Sequence, residues 1–261
     1  MIKSENNPDY QADARRVTEM KIISRIGVFT VSLLLCLLFG PATASRADLG
    51  PSGFDQALRA LQGIDLASLL PPPPAPGSQQ AQMDMEAVRQ AIAARTPEQE
   101  QKIRADHECV MEQFASVIGP DFDHQHYPRL AALLDRVYRA EAQLVAQAKA
   151  KIGRPRPYTL DPTLRTLETR SAQASYPSGH ATFAYMTAAI LARIFPEKRE
   201  ALYARAGGFA HNRVEAGSHF PSDLEAGRMS GEALAAQLWR EGAFRAKIEN
   251  ALLAAQTNLH H

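Results

Sequence analysis

The chain of 261 residues has only two cysteines, Cys36 and Cys109, and Cys36 lies in an apolar run near the N-terminus. Removal of that run from a mature protein leaves Cys109 without a partner, so no intramolecular disulfide framework holds the fold. Cys109 itself reads as a small, buried apolar residue rather than a reactive thiol. An excess of either charge is also lacking, since 29 Lys and Arg against 28 Asp and Glu leave a formal net charge of +1. That balance excludes a global field of the kind that draws proteins to nucleic acid or anionic membrane. The apolar run, Ile26 to Gly40, falls short of the roughly twenty residues a membrane helix needs. No internal repeat occurs. What is present, 45% hydrophobic and 22% charged residues, suits one domain able to bury a sizeable core, with additional segments.

The apolar run reads as the core of an export signal. Lys21 and Arg25 form its basic flank, and Ala42-Thr43-Ala44 and Ser45-Arg46-Ala47 offer small-x-Ala cleavage sites after Ala44 or Ala47. Residues 1–47 are therefore expected to be a signal peptide. Met20 is an alternative start, because the residues before it mix acids and bases; an uncleaved anchor is the competing reading. Residues 48–80 form an N-terminal arm, with a short helical pattern at Phe54, Leu58 and Leu61. The prolines 71 to 74 then forbid both helix and sheet.

Residues 81–257 carry one helical pattern after another. Helices are expected across Met83 to Ala94 and from Thr96-Pro97-Glu98-Gln99, a capping signature. In the second, Ile103, Val110, Phe114 and Val117 mark a buried face, and His107 on the same stripe reads as a partly buried structural histidine. The loop Asp121 to His126 mixes metal-ligand residue types, but with no second ligand cluster it reads as a polar connection. A helix from Pro128 to Lys149 follows, then one opening at Ser178-Gly179, one over Glu200 to Phe209, one over Ser222 to Trp239, and an amphipathic stretch over 241–256. The fold class is all-α, a compact helical domain.

Three clusters carry the chemistry. They are Lys149 with Arg156-Pro157, then Pro177-Ser178-Gly179-His180, then Arg213 with His219 and Asp223. Lys149, Arg156 and Arg213 supply fixed positive charge, and arginine adds a planar fork of donors matched to phosphate oxygens. A helix N-terminus after Ser178 presents unpaired N–H groups, Gly179 admits an anion close to the backbone, and Ser178 can add a hydroxyl. Phosphoryl transfer also needs a nucleophile and a proton for the leaving oxygen, for which His219 and His180 are the candidates. Asp223, four residues after His219, lies on its face if Pro221 opens a helix, and would orient its ring. Arg154, outside these clusters, reads as a surface charge. His211 and Asn212 receive no role.

Lys149-x6-Arg156-Pro157, Pro177-Ser178-Gly179-His180 and Arg213-x5-His219-x3-Asp223 resemble the three motifs of the phosphatidic acid phosphatase type 2 superfamily. Within it, the soluble bacterial class A non-specific acid phosphatases are the most similar group, since the proline-rich stretch Leu70 to Ser78 and Ser175-Tyr176 also fit. Asn212 departs from the serine usual before the motif arginine. The resemblance implies a periplasmic or secreted bacterial enzyme that hydrolyses small-molecule phosphate monoesters, with phosphotransfer to other alcohols as an extension of the same chemistry. Its roles map onto His219 as nucleophile, forming a phosphohistidine, Asp223 as orienter and His180 as acid and then base. Lys149, Arg156, Ser178, Gly179 and Arg213 would bind the phosphate. No metal and no cofactor is expected, because cations of the protein occupy the place of a divalent ion. Nucleic acid and stable membrane association are not expected either, and a homo-oligomer is compatible with the reading. The competing functions are a vanadate-dependent haloperoxidase, a lipid phosphate phosphatase and a non-catalytic periplasmic phosphate-binding protein.

Overall fold

Proline at helix starts and glycine at helix ends punctuate the chain into a purely helical architecture. The computed structural model describes residues 51–258, and no strand occurs among them, in agreement with the all-α expectation. The signal peptide expected over residues 1–47 lies outside the described residues. No helix among the described residues is long and apolar enough to cross a membrane.

The helices are α1 (Pro51–Gln62), α2 (Leu66–Leu69), α3 (Gln79–Ala94), α4 (Pro97–Ala105), α5 (Ala115–Ile118), α6 (Pro128–Ile152), α7 (Pro157–Leu160), α8 (Gly179–Ile194), α9 (Arg199–Glu215), α10 (Pro221–Arg240) and α11 (Gly242–Asn258). Local chemistry explains most boundaries. Ser78 caps α3, accepting from the Ala81 amide. Thr96 and Gln99 form the expected reciprocal capping box on α4. Gly153 ends α6 at φ 69°, a conformation that glycine adopts without steric cost.

One expected helix is broken. The stretch from Thr96 to Val117 is not continuous, because α4 stops at Ala105 and a short 3₁₀ turn, Met111–Phe114, precedes α5. The cause is tertiary. Asp106 is buried at the helix end, where its carboxylate accepts from Arg205 at 2.9 and 2.7 Å and from the Asn212 amide at 2.6 Å. Three charged or polar bonds to one carboxylate outweigh the few tenths of a kcal/mol per residue that helix propensity supplies. His107 is thereby released from the helix, and its side chain is exposed rather than partly buried. In the opposite sense, α9 continues through Gly207-Gly208 to Glu215, past the expected end at Phe209.

The core forms around aromatic contacts among α6, α8 and α9. Phe183 lies edge-on to Tyr138 with ring centroids 4.8 Å apart and meets Phe209 at 5.5 Å. The N-terminal arm joins this core, since Phe54, Ala57 and Leu61 are fully buried and Phe54 stacks on Phe244 of α11 at 6.0 Å. Beyond it the proline run is extended, and the Tyr176 hydroxyl donates to the Pro71 carbonyl at 2.6 Å.

Helices α8 and α10 pack most closely, and glycine makes that possible. A Cβ on Gly231 would stand 2.4 Å from the Thr182 carbonyl oxygen and 2.7 Å from the Met186 nitrogen, and one on Gly227 2.6 Å from the Ser178 carbonyl oxygen. These are backbone atoms and cannot step aside. Gly231→Ala is therefore expected to cost about 1–3 kcal/mol, read as a lower denaturant midpoint at unchanged m-value. A midpoint equal to wild type would show that the two helices are not held at this distance. The close approach fixes the N-termini of α8 and α10 side by side, where the Ser178 amide donates to the Asp223 carbonyl at 3.0 Å. Helices α6 and α9 end at the same place.

Candidate active site

Four helix termini meet at one cavity of about 520 Å³. The end of α6 contributes Lys149, the start of α8 contributes Gly179 and His180, the end of α9 contributes Arg213, and the turn into α10 contributes Ser218 and His219. Arg156 enters from the extended segment before α7. Of the expected site residues, Lys149, Arg156, Gly179, His180, Arg213 and His219 line this cavity together. Asp223 stands behind His219. Ser178 is fully buried, and its hydroxyl oxygen accepts weakly from the Ala181 amide at 3.4 Å as the cap of α8.

His219 is 2% exposed and is held from both sides. On one side Arg156 Nη1 lies 3.2 Å from its Nε2. A guanidinium only donates, so Nε2 carries a lone pair and the ring proton sits on Nδ1. On the other side Nδ1 faces Asp223 Oδ2 and Ser175 Oγ, each at 3.3 Å. Oδ2 also accepts from the Ser175 hydroxyl at 2.5 Å and the Phe220 amide at 2.9 Å. The result is a neutral imidazole with its Nε2 lone pair turned to the cavity. Burial, and then the charges of Lys149, Arg156 and Arg213, push its pKa well below the usual histidine range.

Arg154 departs from the sequence reading. Its side chain is 8% exposed, not a surface charge, and it bridges two buried carboxylates. Nη1 donates to Asp223 Oδ1 at 2.6 Å and to Ser222 Oγ at 2.7 Å, while Nη2 donates to Asp84 Oδ2 at 2.8 Å. Asp84 comes from α3 and also accepts from the Ser222 hydroxyl. The alternation of an extended chain explains the pattern: Arg154 and Arg156, two residues apart across Pro155, flank the His219–Asp223 pair. Burial raises the Asp223 carboxyl from its ordinary range, while Arg154, Ser175 and the Phe220 amide pull it back.

Arg213 is 2% exposed and is paired with Glu168, yet its Nε and Nη1 protons have no partner. Buried unpaired guanidinium donors are costly, so the cavity is built for an anion. Lys149 Nζ donates to the Ala174 carbonyl at 2.8 Å. Burial and the nearby Arg156 charge push its ammonium down to about 7. His180 Nε2 lies 3.0 Å from the His107 carbonyl oxygen, so Nε2 carries a proton and Nδ1 is left free of that bond. Burial and the Arg213 charge push His180 down to about 3. Both imidazoles are thus neutral while the cradle is empty of anion charge.

Sequence reasoning missed Glu168, Ser175 and Asp84 as well as Arg154. Glu168 lies in the irregular connection between the first two motifs, where it accepts from Arg213 and Ser218 and faces His107 Nδ1 at 3.2 Å. Burial works against its charge, but Arg213 and His107 hold its carboxyl down at about 2. Asn212 is buried and turned to Asp106 rather than to the cavity. The loop Asp121 to His126 lies apart from the site, with His124 paired to Glu112 and His126 to Asp123. Cys109 is a partly buried free thiol on the cavity wall, pushed up by burial and by Glu141.

A family model described as the PAP2 superfamily matches residues 137–245. The acid phosphatase of Zymomonas mobilis subsp. mobilis is 32% identical over 158 residues, which cover 58% of this chain and 60% of that protein. The chain thus spans about three fifths of the length of that relative. A non-specific acid phosphatase of Providencia stuartii is 28% identical over 204 residues, covering 74% of this chain and 82% of that one. Among solved structures, the transmembrane PAP2 type phosphatidylglycerolphosphate phosphatase from Bacillus subtilis shares the fold, with a TM-score of 0.50 at 19% identity over 76% of this chain and 96% of its own.

Proposed function

We propose that the chain, whose residues 137–245 match a family model described as the PAP2 superfamily, is an acid phosphatase that hydrolyses phosphate monoesters through a phosphohistidine on His219. The similarity to proteins named acid phosphatase supports a phosphatase. The observation that carries the mechanism is the Arg156 guanidinium against His219 Nε2, because it sets the lone pair on the nitrogen that faces the anion cradle.

In the proposed reaction the phosphoryl group displaces the Arg156 proton from Nε2 and takes the free donors of Arg213, together with Lys149, Arg156 and the N-terminus of α8. Nε2 attacks phosphorus, the phosphorus–oxygen bond to the alcohol breaks, and His180 Nδ1 passes to the leaving oxygen the proton it has taken from the substrate monoanion. As His219 becomes cationic on phosphorylation, Asp223 stabilises it through Nδ1–H. Water then attacks the phosphohistidine while His180 takes its proton, and inorganic phosphate leaves. The protein's own cations neutralise the equatorial oxygens, so turnover is expected to persist in chelator. An exported location belongs to the same proposal, supported by the apolar run and the small-x-Ala sites that end at Ala44 and Ala47.

The acid preference has a specific origin. His180 is neutral in the empty site, so the proton for the leaving group arrives with the substrate monoanion, which is lost above about pH 6. Lys149 then loses its charge above about 7. With p-nitrophenyl phosphate, log kcat/KM is expected to fall with a slope of about one above pH 6, steepening toward two above pH 7. Lys149→Arg, whose charge does not titrate in this range, should return the limb to a slope of one. An optimum at or above pH 8 would contradict the assignments of both groups.

A further inference from the structure

The cavity is longer than a phosphoryl group requires, and one helix face runs along it. Tyr138, Glu141, Ala142, Val145 and Lys149 of α6 follow the spacing of a single helical stripe, and all line the cavity. Lys149 marks the phosphate end. Eight residues at 1.5 Å rise place Glu141 about 12 Å further along the helix axis.

Glu141 is anomalous there. It is 4% exposed, forms no ion pair among the described residues, and its Oε1 is buried with no hydrogen-bond partner. The same cavity holds the partnerless Nε and Nη1 of Arg213, which an anion satisfies. An anion held at Lys149 and Arg213 does not extend the distance of about 12 Å along α6 to Glu141, so Glu141 requires a different partner. That partner lies on the far side of the ester oxygen from phosphorus. A cationic group is disfavoured, because Lys149, Arg156 and Arg213 charge the same cavity positively. Burial pushes the Glu141 carboxyl up to about 8, so at acid pH it is neutral and both donates and accepts.

We propose that the α6 face of Tyr138, Glu141, Ala142 and Val145 is a leaving-group subsite, in which Glu141 hydrogen-bonds a hydroxyl on the otherwise apolar body of the alcohol. The inference rests on the phosphatase reading and extends it to the class of alcohol: the apolar stripe covers the carbon body, and the carboxyl reads the hydroxyl beyond it. Glu141 is a specificity residue and takes no part in proton transfer to the ester oxygen.

The test compares phosphate release from pentyl phosphate, 5-hydroxypentyl phosphate and 5-aminopentyl phosphate at pH 5.5, by wild type, Glu141→Gln and Glu141→Leu. The readout is the ratio of kcat/KM values between substrates. Wild type is expected to prefer the hydroxylated ester over pentyl phosphate by about fivefold to tenfold, the effect of one hydrogen bond. Glu141→Gln, neutral and still both donor and acceptor, should keep most of that ratio, and Glu141→Leu should reduce it to about one. A hydroxyl preference that survives in Glu141→Leu overturns the proposal, as does the absence of any preference in wild type. Preference for the amine in wild type, lost in Glu141→Leu, overturns the hydroxyl assignment in favour of a cation site. Release from none of the three esters by wild type would instead sink the phosphatase reading, and this inference with it. Thermal melts establish that the variants fold, and Glu141→Leu should match or exceed wild type, since it removes a buried polar group without a partner.

Discussion

His219→Ala is expected to lower kcat/KM for p-nitrophenyl phosphate by about four orders of magnitude or more, with little change in the affinity for inorganic phosphate. In the proposed reaction two separate contributions are lost together: the Nε2 nucleophile, and the cation that forms when it is phosphorylated, with Asp223 behind its Nδ1. Nucleophile deletions in covalent mechanisms commonly fall in the range of about 10⁴ to 10⁶. The cradle is built mainly from other residues. Lys149 is held by the Ala174 carbonyl, Arg213 by Glu168, and Arg156 by the Gln173 and Ser218 carbonyls at 2.9 and 3.0 Å. Competitive inhibition by phosphate should therefore survive the substitution. A variant that retains a tenth of wild-type turnover would remove His219 from the reaction, and loss of phosphate binding along with turnover would make it part of the cradle instead.

Arg154→Met carries the second large effect, and here stability and activity fall together. The guanidinium is the charge partner of both Asp84 and Asp223, which are 2% and 0% exposed. Its removal leaves two buried carboxylates with only uncharged donors, the Ser222 hydroxyl on Asp84 and the Ser175 hydroxyl, Phe220 amide and His219 imidazole on Asp223. Breaking one partner out of a buried ion pair costs about 3–5 kcal/mol, because the charge left behind is uncompensated. Denaturant unfolding should show a loss of that size. The kinetic signature is a fall in kcat with a smaller change in KM, since Asp223 loses its fixed position behind His219 Nδ1 while the cradle cations stay in place. Arg154→Met with Asp84→Asn should recover part of the stability and little of kcat, because only the Asp84 charge has been relieved. A loss below about 1 kcal/mol in the single variant would show that the Arg154 network contributes little to either property.

How much of this was written in the sequence depends on whether the signal was local. Helix starts at Thr96, Pro128, Ser178 and Pro221 were legible because capping and proline chemistry act within one turn. The cradle residues were legible because their types and spacings have few other uses in combination. The break after Ala105 was not, since it is imposed by Arg205 and Asn212, about a hundred residues away in the chain. Arg154 was misread for the same reason: its partners Asp84 and Asp223 stand 70 and 69 positions away on either side, and no local pattern distinguishes it from a solvated arginine. Glu168 and Ser175 lie in an irregular connection where periodicity gives no information about direction. Glu141 was hidden within an amphipathic helix, where a glutamate ordinarily faces solvent.

The phosphohistidine is the central claim, and trapping it is the most direct test. Wild-type protein mixed with a ³²P-labelled monoester at pH 5.5 would be quenched on the millisecond scale in alkali, in which a phosphoramidate bond survives, and digested for peptide mapping. The expected result is label on the peptide that contains His219, released by acid, and absent from His219→Ala. Rapid turnover with no label at any quench time would point to direct attack by water, and label on the peptide containing His180 would contradict the assignment of the two imidazoles.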